Sequence, residues 1–248
     1  MHIGGLLKNS LIDYPGKLSC GIFLSGCNFD CPYCHNPDLV KGCSVRSAEY
    51  HPGDVYRFIE DRNGFLDGVV ISGGEPTLQE DLFDLCRHIK NMGFPVKLDT
   101  NGSRPRVIKR LIDEGLVDYI AMDMKTDPKW YTTYIKADCD EAAILSSIEI
   151  IMESAIAYEF RTTCVKPIVT TAVIENVSRL IKGASLYGRA RANRGDGIAH
   201  REPADEPDHV PGPGHGYSRR HERLGRQRSP HSELARCLNA VMRSRRVY

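Results

Sequence analysis

Long apolar runs are missing from this 248-residue chain. A helix that crosses a membrane needs about 20 consecutive apolar residues, and no segment approaches that length. The opening "MHIGGLLKNSLIDYPGK" also lacks the basic start, apolar stretch and small-residue cleavage site of a secretory signal. The expected location is the cytoplasm. Net charge is nearly absent: 33 Lys and Arg against 32 Asp and Glu leave +1, which gives no reason to expect nucleic acid or a membrane as partner. An even cysteine count is missing as well. Nine cysteines in a reducing compartment do not build a disulfide framework. Six of them (Cys20, Cys43, Cys86, Cys139, Cys164 and Cys237) are scattered and read as small buried hydrophobes.

What is present is apolar content of 41%, enough for a substantial core, in a regular alternation. Buried strands are expected at 18–26, 67–74, 95–102, 117–125 and 158–165. Amphipathic helices are expected at 52–62, 78–93, 105–115, 141–155 and 172–184, several with proline at the start and glycine at the end. The 78–93 helix turns Leu82, Leu85, Cys86 and Ile89 inward. "SLY" at 185–187 opens one more strand. Such alternation predicts right-handed crossovers and a parallel α/β sheet, a partial barrel rather than a closed eight-fold one. Ligands bind such sheets at the C-terminal strand ends. There the sequence places a cysteine loop, "SGGEP", "DTNG", "DMK" and "RTT" in turn.

The cysteine loop "SGCNFDCPYCHNPD" brings Cys27, Cys31 and Cys34 within eight positions. Three metal chemistries compete for it. Cys31, Cys34 and His35 form the C-x-x-C-H of a c-type haem, which leaves Cys27 without a role. A structural zinc site needs four closed ligands; Cys43 could be the fourth, but a second knuckle is missing. Three thiolates can instead hold three irons of a [4Fe–4S] cube and leave the fourth iron open, as reactive metal sites require. Singly, the other motifs have plain readings. "SGGEP" and "DTNG" are turns, Asp123 and Lys125 an ion pair, Arg161 a salt-bridge partner and Tyr33 a core residue. His2, His51 and His88 read as surface residues.

The C-x-x-x-C-x-Φ-C pattern of Cys27, Cys31, Tyr33 and Cys34 resembles the signature of the radical S-adenosylmethionine (radical SAM) superfamily. "SGGEP", "DTNG" and "DMK" resemble its glycyl-radical-enzyme activating branch. "SLIDYPGK…FLSGCNFDCPYCHNPDLV" is especially similar to anaerobic ribonucleoside-triphosphate reductase activating proteins. The likeness spans residues 1–187. It implies a partial (β/α)6 barrel holding a [4Fe–4S] cluster on Cys27, Cys31 and Cys34. It further implies an enzyme that reductively cleaves SAM to a 5′-deoxyadenosyl radical and makes a glycyl radical on a partner, with flavodoxin or ferredoxin as electron donor. Within the resemblance, Tyr33 packs near adenine, and Gly73 and Gly74 let backbone carbonyls approach the methionyl amine. Glu75 meets the ammonium or holds its loop. Asp99 and Asn101 suit the ribose or polar tail, and Lys125 and Arg161 suit a carboxylate. Asp99, Thr100, Asp123 and Met124 match the positions of a monovalent cation site. The alternatives are a radical SAM enzyme acting on a small molecule, and a non-catalytic zinc or iron–sulfur binding module.

Beyond Tyr187 the composition changes. All eleven lysines precede residue 183, whereas thirteen of the twenty-two arginines lie in 188–248. That segment lacks phenylalanine and carries a formal +6 against −5 for residues 1–187. It reads as a separate Arg/Pro/Gly-rich tail, disordered or the product of a shifted reading frame, with the last strand eroded. Only "SELARCLNAVMR" has the pattern of a short helix.

Overall fold

The computed structural model describes residues 1–40, 50–136 and 140–191. Cys43, Cys139, Cys237 and the "SELARCLNAVMR" segment lie outside the described residues. Strand β1 (Ile3–Ser10) runs antiparallel to β2 (Ser19–Leu24). After the cysteine loop come the short α1 (Pro37–Val40), then α2 (Pro52–Glu60) and β3 (Gly68–Gly73). Helix α3 (Leu82–Asn91) leads to β4 (Val96–Thr100), and α4 (Pro105–Asp113) to β5 (Tyr119–Asp123). Helix α5 (Glu141–Glu153) precedes β6 (Ala157–Cys164), and α6 (Thr171–Leu180) precedes β7 (Tyr187–Arg191).

These strands form one seven-stranded sheet in the order β1-β2-β3-β4-β5-β6-β7, parallel from β2 to β7. Because strand order follows chain order without reversal, right-handed crossovers carry the helices to the same face of the sheet. Among the described residues the sheet keeps β1 and β7 as edges, the topology of a partial α/β barrel.

Local chemistry explains where the elements begin. Pro52 and Pro105 each stand in the first turn of a helix, where the missing N–H costs nothing. Asp140 and Thr170 accept N–H bonds from Ala143 and Val173 and so cap α5 and α6. His51, expected on the surface, is exposed and caps α2 through Nδ1. His88 is exposed and stacks on Tyr56, with ring centroids 4.0 Å apart. Helix α3 buries Leu82, Leu85, Cys86 and Ile89, as its periodicity requires.

Two elements differ from the sequence reading. Strand β1 carries irregularities between Ile3 and Gly5 and between Leu7 and Ser10, which break the alternation by which a strand is recognised. The sixth parallel strand, expected to be eroded after Tyr187, pairs with β6 from Phe160↔Tyr187 to Cys164↔Arg191. It therefore runs through the boundary expected at 187/188. A parallel ladder is built from backbone groups, and "YGRAR" supplies these as well as apolar residues would.

The two sheet faces have opposite character. Ile22, Leu24, Ile71, Leu98, Ile120, Met122 and Phe160 point into the main core beneath the helices. On the other face, Tyr14, Val70, Tyr119 and Ala121 form a second, smaller cluster of buried hydrophobic residues. Across β4, β5 and β6 that face also carries Lys97, Asp99, Asp123, Glu159 and Arg161. The load on the helix side is testable at Ile71, which is fully buried on β3. Ile71→Ala should cost about 2–5 kcal/mol through lost transfer energy and the cavity left behind, read as a lowered denaturant midpoint of anaerobically purified protein.

Candidate active site

The cysteine loop leaves β2 and is pinned at both ends by backbone bonds, Ser25 N–H to the His2 carbonyl (3.0 Å) and Gly26 N–H to the Leu39 carbonyl (2.8 Å). Its aromatic residues are drawn inward. Phe29 meets Tyr131 edge to face at 5.6 Å, and the Tyr33 hydroxyl donates to the Lys125 carbonyl at 2.7 Å. Tyr131 lies in a π-helical turn, Tyr131–Ile135, whose Ile135 carbonyl accepts from Asp30 N–H at 3.1 Å. Burying the aromatics turns the three half-buried cysteines toward one cavity of about 220 Å³. Burial raises the Cys27 thiol above its ordinary range and pushes Cys31 up to about 12.

The donor set can be tested against a metal group. Among the described residues, no three His, Cys, Asp or Glu side chains converge closely enough to enclose a single ion. Three thiols spread along a common cavity wall suit a cluster that bonds each thiolate to a different iron. Asn101 Nδ2 approaches Cys27 Sγ at 3.9 Å, the kind of outer contact that tunes such a cluster.

Facing the cysteines is the turn after β3. A Cβ at Gly73 would fall 2.2 Å from the Leu24 carbonyl oxygen, and one at Gly74 would fall 2.0 Å from that of Gly26. Gly73 also adopts φ +125°. Glycine is thus demanded first by contact with β2 and the cysteine loop, and both glycines still line the cavity. Glu75 follows, fully buried. It accepts from Thr77 N–H (3.1 Å), the Thr77 hydroxyl, the Thr100 hydroxyl (2.8 Å) and Asn101 N–H (2.6 Å). Burial raises its carboxyl above the ordinary glutamate range, against the pull of these donors. Asn101 in turn donates to Asn28 of the cysteine loop at 3.0 Å.

Charged residues alternate along β4, β5 and β6 on the face away from the helices. Lys97 Nζ lies 2.5 Å from Asp99 and 4.0 Å from Glu159. Arg161 bridges Asp123 (2.9 Å) and Asp99 (3.5 Å), and Lys125 Nζ reaches Asp123 at 3.0 Å. Burial alone would raise the Asp123 carboxyl, but Lys125 and Arg161 outweigh it and hold it well below the usual carboxylate range. The same pairing raises Lys125 and Arg161 despite their burial.

A sequence profile of the radical SAM superfamily matches residues 22–171. The chain belongs to the radical SAM superfamily. It is 39% identical over 194 residues to a Methanocaldococcus jannaschii protein that carries the name of a glycyl-radical enzyme activating enzyme, covering 75% of this chain and 77% of that one. It is 32% identical over 123 residues to the pyruvate formate-lyase-activating enzyme of Streptococcus mutans, covering 46% of each. The crystal structure of Streptococcus suis SuiB bound to precursor peptide SuiA superposes with a TM-score of 0.54 at 14% identity, over 68% of this chain and 38% of that one. SuiB bound to S-adenosylmethionine gives 0.53 at 13%, over 71% and 43%. The chain thus spans about two fifths of those solved chains, and the likeness is one of fold.

Membership of the radical SAM superfamily implies a [4Fe–4S] cluster and S-adenosylmethionine as cofactors. Of the residues singled out in the sequence, Cys27, Cys31, Cys34, Tyr33, Gly73, Gly74, Asp99, Thr100, Asn101, Asp123 and Lys125 line the one cavity. Three stand elsewhere. Glu75 lies behind the wall as a hydrogen-bond hub. Arg161 is not in the lining and instead joins the two aspartates. The Met124 side chain is buried in the helix-side core. Ser72, His35, Asn36 and Thr163 also line the cavity, and Lys97 beneath Asp99 was legible only as a lysine two positions before an aspartate on a strand.

Glu75→Ala would leave buried donors on Thr77, Thr100 and Asn101 without their acceptor. A loss of about 3 kcal/mol or more is expected in chemical denaturation. Glu75→Gln should fall in between, because its amide turns a donor toward donors. A loss below about 1 kcal/mol for the alanine variant would show that the hub does not hold the loops.

Proposed function

We propose that this chain is an activating enzyme that makes a glycyl radical on a partner protein, specifically an anaerobic ribonucleoside-triphosphate reductase. The observation that carries the proposal is the shared cavity, in which three loop cysteines face the β3 glycine turn and the charged ends of β4 and β5. Similarity to proteins named as glycyl-radical enzyme and pyruvate formate-lyase activating enzymes supports the reaction class. The "SLIDYPGK" opening supports the reductase as partner, and nine cysteines suit a reducing cytoplasm.

Cys27, Cys31 and Cys34 would hold three irons of the cluster and leave one open to the amine and carboxylate of SAM. When bound, the pair supplies one-electron cleavage of SAM, driven by a flavodoxin- or ferredoxin-type donor, to methionine and a 5′-deoxyadenosyl radical that takes a hydrogen atom from a glycine Cα. The chain's own residues position and shield. Backbone carbonyls at Gly73 and Gly74 can accept from the methionyl ammonium, a contact that bulkier residues would displace. Lys125, on the cavity wall, offers its remaining N–H donors to a carboxylate. Asp99 and Asn101 present polar groups to the ribose side, and Tyr33 and Phe29 form an aromatic wall that excludes water. Among the described residues β1 and β7 are the edges of the sheet, and a partner loop would reach the cavity from that opening.

Anaerobic reconstitution with iron and sulfide should load about four irons per chain, and added SAM should change the cluster's electron paramagnetic resonance signal. With reductant and anaerobic ribonucleotide reductase, a glycyl doublet should appear. Cys31→Ala should lose both cluster and 5′-deoxyadenosine formation. Turnover of SAM with no doublet on any glycyl radical enzyme would redirect the reading to a small-molecule substrate; about one zinc and no iron would abolish it.

A further inference from the structure

The side chains assigned to the monovalent cation implied by the resemblance already have partners within the chain. Both carboxylates already meet tethered cations, Asp99 through Oδ1 and Asp123 through both oxygens. Asp99 has Lys97 Nζ at 2.5 Å and Arg161 at 3.5 Å; Asp123 has Arg161 at 2.9 Å and Lys125 at 3.0 Å. The Thr100 hydroxyl is buried, donating to Glu75 at 2.8 Å and accepting from Gly102 N–H at 3.2 Å. The Met124 thioether is a soft donor that a hard cation does not use, and it lies in the hydrophobic core, so Met124 has only its backbone carbonyl to offer. Counted with Glu159, three carboxylates meet three cationic side chains, so the cluster is neutral without an added ion.

Lys97 is the unusual member. Its side chain is 1% exposed, and its register partners are Val70 on β3 and Tyr119 on β5. This places it on the charged face, below Asp99. The ammonium lies 5.8 Å from the Tyr119 ring centroid and meets the carboxylates of Asp99 and Glu159. A buried ammonium is retained only when paired. A free Na⁺ or K⁺ would have to shed its water and displace this ammonium to reach the same oxygen.

We propose that Lys97 is the built-in cation of this site, a positioning residue that fixes Asp99 at the cavity wall, so that SAM binding here requires no monovalent metal ion. The inference rests on the SAM-binding reading of the cavity but not on the identity of the partner. A tethered ammonium is ordered when the chain folds, so ligand binding carries no ion-capture step and no linkage to Na⁺ or K⁺ concentration.

The test uses the reconstituted protein, with SAM affinity read from the cluster's resonance signal in KCl, NaCl and choline chloride at equal ionic strength. The wild-type dissociation constant should agree among the three within about twofold, and ²⁰⁵Tl⁺ should show no saturable binding. Lys97→Met, of similar length but uncharged, should bind SAM about tenfold more weakly in choline, a typical coupling between sites, and should recover with K⁺. Wild-type affinity that falls about tenfold in choline, saturable Tl⁺ binding, or an unaffected Lys97→Met would each overturn the proposal. Should Lys97→Met fail to fold, the wild-type exchange of salts decides alone. Absence of SAM binding in every medium would overturn the cavity reading itself, and this inference with it.

Discussion

Glu75 receives four hydrogen bonds from Thr77, Thr100 and Asn101, and these join the turn after β3 to the turn after β4. Asn101 extends the connection to Asn28 in the cysteine loop, and Glu75 N–H donates to the Gly26 carbonyl at 2.8 Å. Three segments distant in sequence are thereby joined through Glu75 and Asn101. Their alignment could not be left to backbone ladders, because all three lie beyond the strand ends. A buried carboxylate surrounded by donors is costly to disturb, since each donor would be left unpaired in a low-dielectric interior. That makes it a stiff joint.

The second constraint is the segregation of the sheet's faces. Side chains alternate along a strand, so Val96, Leu98 and Thr100 are buried toward the helices while Lys97 and Asp99 take the other face. The same alternation on β6 sends Phe160 and Thr162 inward and Glu159 and Arg161 to the charged side. Parallel sheets are ordinarily apolar on both faces. This one departs by pairing every charge in the row, which removes the penalty of an isolated buried ion. The departure falls at the strands whose ends carry the cavity.

Much of this was visible in the residues. The β-branched runs and the 3.6-residue periodicity of 78–93 mark elements that the structure contains, because burial on one face leaves a direct imprint on composition. Strand β1 was not visible: its irregularities shift the alternation partway along. Strand β7 looked eroded because its side chains are polar, yet its pairing depends on backbone groups. The glycines of "SGGEP" were legible as a close approach, but not what approaches; the nearest neighbours are β2 and the cysteine loop. Lys97 escaped notice because a single lysine in a strand carries no sign of its partners, which come from β4, β5 and β6 together. Met124 shows the opposite failure, since proximity in sequence to Asp123 said nothing of the face its side chain would occupy.

Among the described residues, no buried side-chain nitrogen or oxygen lacks a partner. Around the cavity, Thr100, Asn101, Asp123 and Lys125 already have partners within the protein. A wall built this way offers unused lone pairs and the spare donors of groups already held in place, such as the Lys125 ammonium and the carbonyls of the glycine turn. Preorganised groups cost no reordering when charge shifts, and a rigid wall shields a reactive intermediate from water and from its own protein. For chemistry that releases an open-shell fragment, such rigidity is itself a requirement, because a loosely held side chain near the cavity would be a competing hydrogen donor. The buried hub at Glu75 and the neutralised row from Lys97 to Arg161 meet that requirement from two sides of the same cavity.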